Sequence, residues 1–352
     1  MKLADFDYHL PEERIAQEAL ADRAASRMLV VHRDEGRWED RSFGDLPEYL
    51  RRGDCLVGND SRVFPARLFG HRAGVHALPI GKNNPKLREH LSGAVEVLLL
   101  RSMSPDGRDW QALVRPGRKL PVGERITFDE GLTVEIVGRG EFGERTVRFH
   151  GTEDLYTVFE RIGHVPLPPY IKRADSPADR DRYQTVYARE KGSVAAPTAG
   201  LHFTAEVLAR CRQAGAGQAF VTLHVGLGTF QPLHEEDVEQ VRLHTEHYRI
   251  TPANAAAIDA AHRVVAVGTT SVRTLETAAR TSQLEGETDI FLYPGVPFLK
   301  TGAMVTNFHL PRTSLLLLVC AFGGTDLMLA AYRHAVESEY RFYSYGDCML
   351  IL

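Results

Sequence analysis

The chain has 352 residues, 43% of them hydrophobic and 25% charged, with a formal net charge of -4. This composition excludes disordered and fibrous chains and suits a globular body large enough for two domains. A net negative chain does not hold nucleic acid by bulk electrostatics, because neutralising phosphates takes a local surplus of Lys and Arg. Arg51 with Arg52, Arg62 with Arg67, the group Arg115, Arg118 and Lys119, and Lys172 and Arg173 with Arg180 and Arg182 can each supply such a surplus. Taken alone, each of them is better explained as a solvated surface. Cys55, Cys211, Cys320 and Cys348 form no C-x-x-C pair, so neither a disulfide framework nor a thiolate zinc site is expected and a reducing cytoplasm fits. The first residues lack the order of a secretory signal, and the apolar run Leu315–Phe322 is too short to cross a bilayer, so no membrane role is expected.

In chain order, 11–17 has a helix-like pattern, Met28–His32 reads as a strand before a turn, and Asp54–Gly58 reads as a second, buried strand. Five short runs follow, Val95–Leu100, Trp110–Val114, Arg125–Phe128, Leu132–Val137 and Thr146–Phe149, separated by Gly and Pro-Gly turns. That spacing predicts a small β-barrel. The segment 71–93, with its Pro, Gly and paired Asn residues and little periodicity, reads as a mobile loop on the barrel. Beyond residue 150, helical periodicity at Asp154–Ile162, Ala205–Ala214, Asn254–Ala261, Ser271–Ala279 and Asp326–Glu337 alternates with strand-like runs at Ala219–His224, Val264–Val267, Asp289–Tyr293 and Cys348–Leu352. The expected architecture is α/β: a mixed, partly parallel sheet domain formed by both chain ends (1–62 and 151–352), with an inserted small β-barrel domain (63–150).

Polar, glycine-bearing turns after strands are where α/β proteins place ligand contacts, since backbone N–H groups there approach an anion or a ribose unobstructed. Five segments have this character. Asn59, Asp60, Ser61 and Arg62 share the turn GNDSR, which is also an ordinary turn sequence. AAPTAGLHFT bends at Pro197, Thr198 and Gly200, offers His202 beside Phe203, and has Thr204 placed to cap a helix. LHVGLGTFQP carries His224, Gly226, Gly228, Thr229 and Phe230, but lacks the third glycine and the following helix of a dinucleotide fingerprint. In VGTTSVRTLET, Thr269, Thr270 and Ser271 can supply N-cap oxygens, while Arg273 offers a phosphate or carboxylate site. TNFHLPRTSLL brings Asn307 and His309 ahead of a strongly apolar helix. His244 and His247 have no third partner at metal-ligand spacing, so no metal site is expected, and Walker and nucleophile-elbow patterns are absent.

Together with DFDYHLPEERIAQ, NDSRVFPARLFG, LVRPGRKL, GHVPLPPYIKR, DRYQTVYA and YRFYSYGDCMLIL, these blocks run nearly end to end. In that order the sequence resembles the S-adenosylmethionine:tRNA ribosyltransferase-isomerase family of queuosine biosynthesis. The resemblance implies a cytoplasmic bacterial enzyme that moves and isomerises the ribose of S-adenosylmethionine onto 7-aminomethyl-7-deazaguanine at the wobble position of tRNA. The products would be epoxyqueuosine-tRNA, adenine and methionine. It further implies an α/β domain with a β-barrel, no metal and no second cofactor, and tRNAs for Asp, Asn, His and Tyr as acceptors; a monomer is expected.

For that chemistry His202, His224 and His309 are candidate bases, and Asp60, Glu276 and Asp347 candidate orienting carboxylates. Phe203, Phe230 and Tyr345 are candidate walls for the sulfonium. Arg62, Arg115, Lys172, Arg173 and Arg182 are candidates for the RNA side. The departure from the family pattern is the length of 71–93, where a short turn is expected. A non-catalytic RNA binder using the barrel, or another enzyme using S-adenosylmethionine, are the competing readings; the polar turns outside the barrel speak against the first.

Overall fold

The computed structural model describes residues 1–75, 93–140, 143–151, 153–226, 233 and 235–352. No extended helix occupies 11–17. Glu12–Arg14 is a single 3-10 turn after Pro11, and Ile15 leaves it to form a bridge with Phe342.

Strands β1 (Arg27–His32) and β2 (Arg37–Ser42) form a hairpin, followed by β3 (Asp54–Asn59) and the short β4 (Ser61–Val63). The chain then enters β5 (Arg67–Arg72), β6 (Ala94–Ser102), β7 (Asp109–Arg115), β8 (Arg125–Phe128), β9 (Thr133–Arg139) and β10 (Glu144–His150). These six antiparallel strands close into a barrel in the order β10-β7-β6-β5-β8-β9. Closure follows from alternation: Val95, Val97 and Leu99, then Trp110, Ala112 and Val114, then Val134 and Ile136 all point inward and are buried. Strand β5 is hidden in the sequence because its inward positions are Leu68 and Gly70. A Cβ on Gly70 would lie 2.5 Å from the Thr127 carbonyl oxygen, so only glycine lets β5 and β8 approach.

Helix α1 (Leu155–Ile162) begins at Asp154, whose carboxylate accepts the Thr157 amide at 2.9 Å. It packs Leu155 and Phe159 into the barrel interior, so we group α1 with the barrel. The chain returns through α2 (Asp179–Arg182) and β11 (Glu190–Ser193), which pairs in parallel with β4.

The remainder alternates as expected: α3 (Ala205–Gln213), β12 (Gly217–Leu223), β13 (Glu246–Arg249), α4 (Pro252–Asp259), β14 (Arg263–Val267), α5 (Thr269–Thr281), β15 (Glu285–Thr288), β16 (Ala303–Asn307), α6 (Ser314–Gly323), α7 (Thr325–Glu337) and β17 (Cys348–Ile351). The expected strand at Asp289–Tyr293 has no ladder; the edge is taken instead by the polar segment Glu285–Thr288. Nine strands form one mixed sheet in the order β15-β13-β12-β3-β14-β16-β17-β1-β2. The pairs β12/β3, β3/β14, β14/β16 and β17/β1 are parallel and the rest antiparallel. A mixed α/β sheet built from both chain ends, with a closed barrel beside it, is the predicted architecture.

The central strands read as continuous apolar runs because both faces are covered. Val57, Val264, Ala266, Met304 and Ile351 face α4 to α7, whereas Leu56, Val265, Val267, Val305 and Leu350 face Phe43, Phe203 and α3. Among the described residues no single helix is long and apolar enough to cross a membrane; α6 and α7 meet at a 116° bend.

Candidate active site

Because β3, β12, β14 and β16 run parallel, their carboxyl ends, Asn59, Leu223, Val267 and Asn307, reach one edge of the sheet. Open α/β sheets bind ligands at that edge. A cleft lies there, walled by Pro197, Thr198, Thr269, Thr270, Thr306, Asn307, His309, Tyr170 and Tyr343. Four sequence segments therefore meet in one cleft: the Pro-Thr-Ala-Gly bend, Val225 after β12, the start of α5 and the end of β16.

Gly268 turns β14 into α5 with φ of 87°, a left-handed conformation that favours glycine. The expected side-chain cap at Thr269, Thr270 or Ser271 is absent. Ser271 donates back to the Val267 carbonyl at 2.8 Å, and Thr270 Oγ1 accepts from Asn59 Nδ2 at 3.2 Å. An N-terminus without a side-chain cap leaves N–H groups and the positive end of the helix dipole facing the cleft.

Asn307 is 2% exposed and donates Nδ2 to the Tyr343 carbonyl at 2.9 Å, while its Oδ1 has no partner. Tyr343 is held at φ of 72°, an uncommon conformation for a bulky residue, beside the Tyr170 ring. His309 lines the cleft with Nε2 2.8 Å from Thr306 Oγ1, and burial pushes its pKa down to about 3. His202 stands behind this wall rather than in it. Its Nδ1 lies 2.8 Å from Ser26 Oγ, its Nε2 has no hydrogen-bond partner, and burial pushes its pKa down to about 4 against the opposing effect of Asn307. Both rings are therefore unprotonated at neutral pH.

Other expected site residues lie elsewhere. Phe203 has no exposed surface and packs edge-on against Phe43 at 4.9 Å, so it belongs to the core beneath the sheet and not to a ligand wall. Glu276 accepts the amides of Leu299, Lys300 and Thr301 at 2.7, 3.0 and 2.9 Å, and Asp347 accepts those of Arg27 and Arg341 at 2.8 Å each. Both carboxylates are fastened to backbone, away from the cleft. Tyr345 donates to Asp179 at 2.7 Å and also points away; Tyr343, two residues earlier, is the tyrosine that lines the cleft. Asp60 accepts from Thr222 Oγ1 at 2.7 Å, with Arg189 at 3.3 Å, and burial raises its pKa. His224, whose pKa burial lowers, sits against Gly192 outside the cleft. Asn59 ties β3 to Leu223 and α5 from behind, and Ser61 Oγ is buried without a partner. Gly200 lies where a Cβ would be 2.6 Å from Thr185 Cγ2, so it is required for packing. Gly228, Thr229 and Phe230 fall outside the described residues; the Gly226 amide donates to Glu246 at 2.9 Å.

Of the five cations proposed for RNA, Arg62, Arg115 and Lys172 are exposed, the last paired with Glu12. Arg173 makes two bonds to Asp179, at 2.7 and 2.8 Å, which commit it to the fold, whereas Arg182 donates only Nη2, to the Leu20 carbonyl at 2.8 Å, and its Nε and Nη1 are buried without a partner. Among the described residues no cluster of three His, Cys, Asp or Glu has metal-binding geometry.

The residues missed in the sequence are Tyr170, Thr306, Tyr343, Ser344 and Glu246. The run Y-S-Y-G offered a signal, but spacing alone did not decide which tyrosine turned inward. Glu246 forms a buried ion pair with Arg273, and this pair lines a second, smaller cavity.

The family of queuosine biosynthesis proteins matches residues 3–351. The S-adenosylmethionine:tRNA ribosyltransferase-isomerase of Solibacter usitatus is 80% identical over 352 residues, covering all of both chains. That of Symbiobacterium thermophilum is 51% identical over 362 residues, again covering both chains in full. The crystal structure of S-adenosylmethionine tRNA ribosyltransferase from Thermotoga maritima is 37% identical, spans 99% of this chain and 100% of its own, and superposes with a TM-score of 0.54. With the cleft at the carboxyl edge of the sheet assembled from the motifs of that family, the chain belongs to the queuosine biosynthesis proteins.

Proposed function

We propose that the chain transfers and isomerises the ribosyl group of S-adenosylmethionine onto 7-aminomethyl-7-deazaguanine in tRNA, releasing adenine and methionine and leaving epoxyqueuosine. The observation that carries this reading is the convergence of four separated polar segments on one cleft in a chain that matches the family end to end. The reaction needs a base for the acidic proton beside the sulfonium, a donor for departing adenine, and a neutral amine held in line. His309 is the base we favour, because it lies in the cleft and is unprotonated. The burial that empties it also weakens it as a base, so proton transfer depends on close placement rather than on basicity. Asn307 Oδ1, buried and without a partner, is suited to the ribose hydroxyls or the adenine amine.

The acceptor tRNAs are those for Asp, Asn, His and Tyr, the setting is the cytoplasm, and the working unit is a monomer. Arg62, Arg115 and Lys172 are the cations we assign to the RNA. Incubating the protein with S-adenosylmethionine and precursor tRNA tests the reading: both adenine and methionine are expected as products. S-adenosylhomocysteine would mean methyl transfer, and absence of turnover would favour a binding protein; either result overturns the proposal.

A further inference from the structure

The block DFDYHLPEERIAQ, residues 5–17, stands out in the sequence, yet none of the described residues walling the cleft comes from it. Its contacts reach the wall from outside. Tyr8, 8% exposed, donates its hydroxyl to the His309 carbonyl at 2.5 Å. The His309 amide donates to Tyr332 Oη in α7 at 3.2 Å, and the two tyrosine rings meet edge-on at 5.2 Å. Both backbone groups of His309 are therefore held by buried tyrosines, two residues beyond the end of β16, where ladder pairing has stopped.

Gln17 holds a second part of the wall. Its side chain donates Nε2 to the Tyr170 carbonyl at 2.9 Å and accepts the Lys172 amide at 2.8 Å, bracketing the loop as the backbone of a parallel neighbour would. Tyr343 is fixed through backbone: Phe342 beside it donates to the Arg14 carbonyl at 2.8 Å and accepts the Ala16 amide at 3.2 Å. A buried hydroxyl needs an acceptor wherever it lies, so each contact alone has a structural explanation. The pattern has more content, because the contacts fall on the three loops that carry His309, Tyr170 and Tyr343 into the cleft. A base that works by placement loses rate steeply when displaced, by about 10²-fold for roughly 1 Å. We propose that Tyr8 and Gln17 are positioning residues, which fix His309 and Tyr170 against the bound substrate without touching it. The assignment rests on the function proposed above.

Steady-state kinetics of adenine release by the full chain, run at saturating precursor tRNA and at a temperature well below each variant's Tm, test it. Tyr8→Phe removes one hydroxyl and keeps the ring packing; Gln17→Leu removes both bonds to the 170–172 loop. Each should lower kcat about 10-fold and change KM for S-adenosylmethionine by less than about 2-fold. Phe6→Leu is the comparison: it loosens the same segment through the core, where Phe6 is 1% exposed, and leaves these hydrogen bonds in place. It should lower Tm with kcat unchanged. An unchanged kcat in Tyr8→Phe or Gln17→Leu, or an equal drop in Phe6→Leu, overturns the proposal. Should Tyr8→Phe fail to fold, Gln17→Leu decides. If the unaltered protein releases adenine and the variants keep its kcat, this assignment alone fails, whereas no release by the unaltered protein removes the proposed function with it.

Discussion

His202 Nε2 and Asn307 Oδ1 are both buried without a hydrogen-bond partner, and each has a consequence that can be measured. An unfolded histidine takes up its proton near pH 6.5, whereas buried His202 holds out to about 4. Between those values the unfolded chain binds the proton and the native chain does not, so this residue contributes a loss of stability as pH falls. The loss is complete below about pH 4 and amounts to roughly 3 kcal/mol. The Asp60 and Asp347 carboxyls, both raised by burial, act with the opposite sign, adding stability as pH falls through their raised values toward the ordinary carboxylate range. The native Tm should therefore fall further between pH 7 and pH 4.5 than that of His202→Gln; parallel curves would show that the ring is accessible to protons. Asn307→Ala removes the donor to Tyr343 and the unmatched oxygen together. We expect kcat/KM for adenine release to drop by about 10²-fold, the usual cost of deleting one preorganised polar contact. Unchanged turnover would take Asn307 out of the reaction.

Helix α5 carries two acidic or basic groups that sequence reasoning placed in the site, Arg273 and Glu276, and its packing separates them. Burial alone would raise the Glu276 carboxyl; the amides of Leu299, Lys300 and Thr301 and the Arg280 guanidinium outweigh it and hold the group below its usual value. Glu276 thus anchors the segment entering β16. Glu276→Ala strands three amides and should cost about 3 kcal/mol in urea unfolding, with turnover at 25 °C nearly unchanged. Loss of turnover at full stability would restore Glu276 to the chemistry. Legibility followed the same divide. Strands with strict alternation, such as Trp110–Val114, and buried runs, such as Val264–Val267, were visible because burial imposes their pattern. Glu285–Thr288 was not, since an edge strand of polar residues carries no such imprint. The hydroxyl and glycine turns also stood out, whereas Tyr170 and Tyr343 join the cleft only through tertiary contacts, which local sequence does not encode.

At the scale of the whole molecule, the cations divide into those bonded within the fold and those exposed on its surface. The triple change Arg62→Ala, Arg115→Ala and Lys172→Ala should weaken tRNA binding and lower the slope of log affinity against log salt by about 2. An unchanged slope would reject this face. Arg173→Ala should instead lower Tm, because it leaves Asp179, 4% exposed, without its cation. The sheet has a temporal side as well. Strand β17 lies between β16 and β1, and Arg27 and Asp347, which join at that seam, are 320 positions apart. During synthesis at roughly 5–20 residues per second, β1 waits on the order of 15–60 s for its inner neighbour, while the barrel strands have all emerged long before. A nascent chain that stalls before β17 exposes two open edges in the middle of its main sheet, a state prone to aggregation and proteolysis. The placement of this strand thus makes the sheet a check on whether translation has run through residue 351.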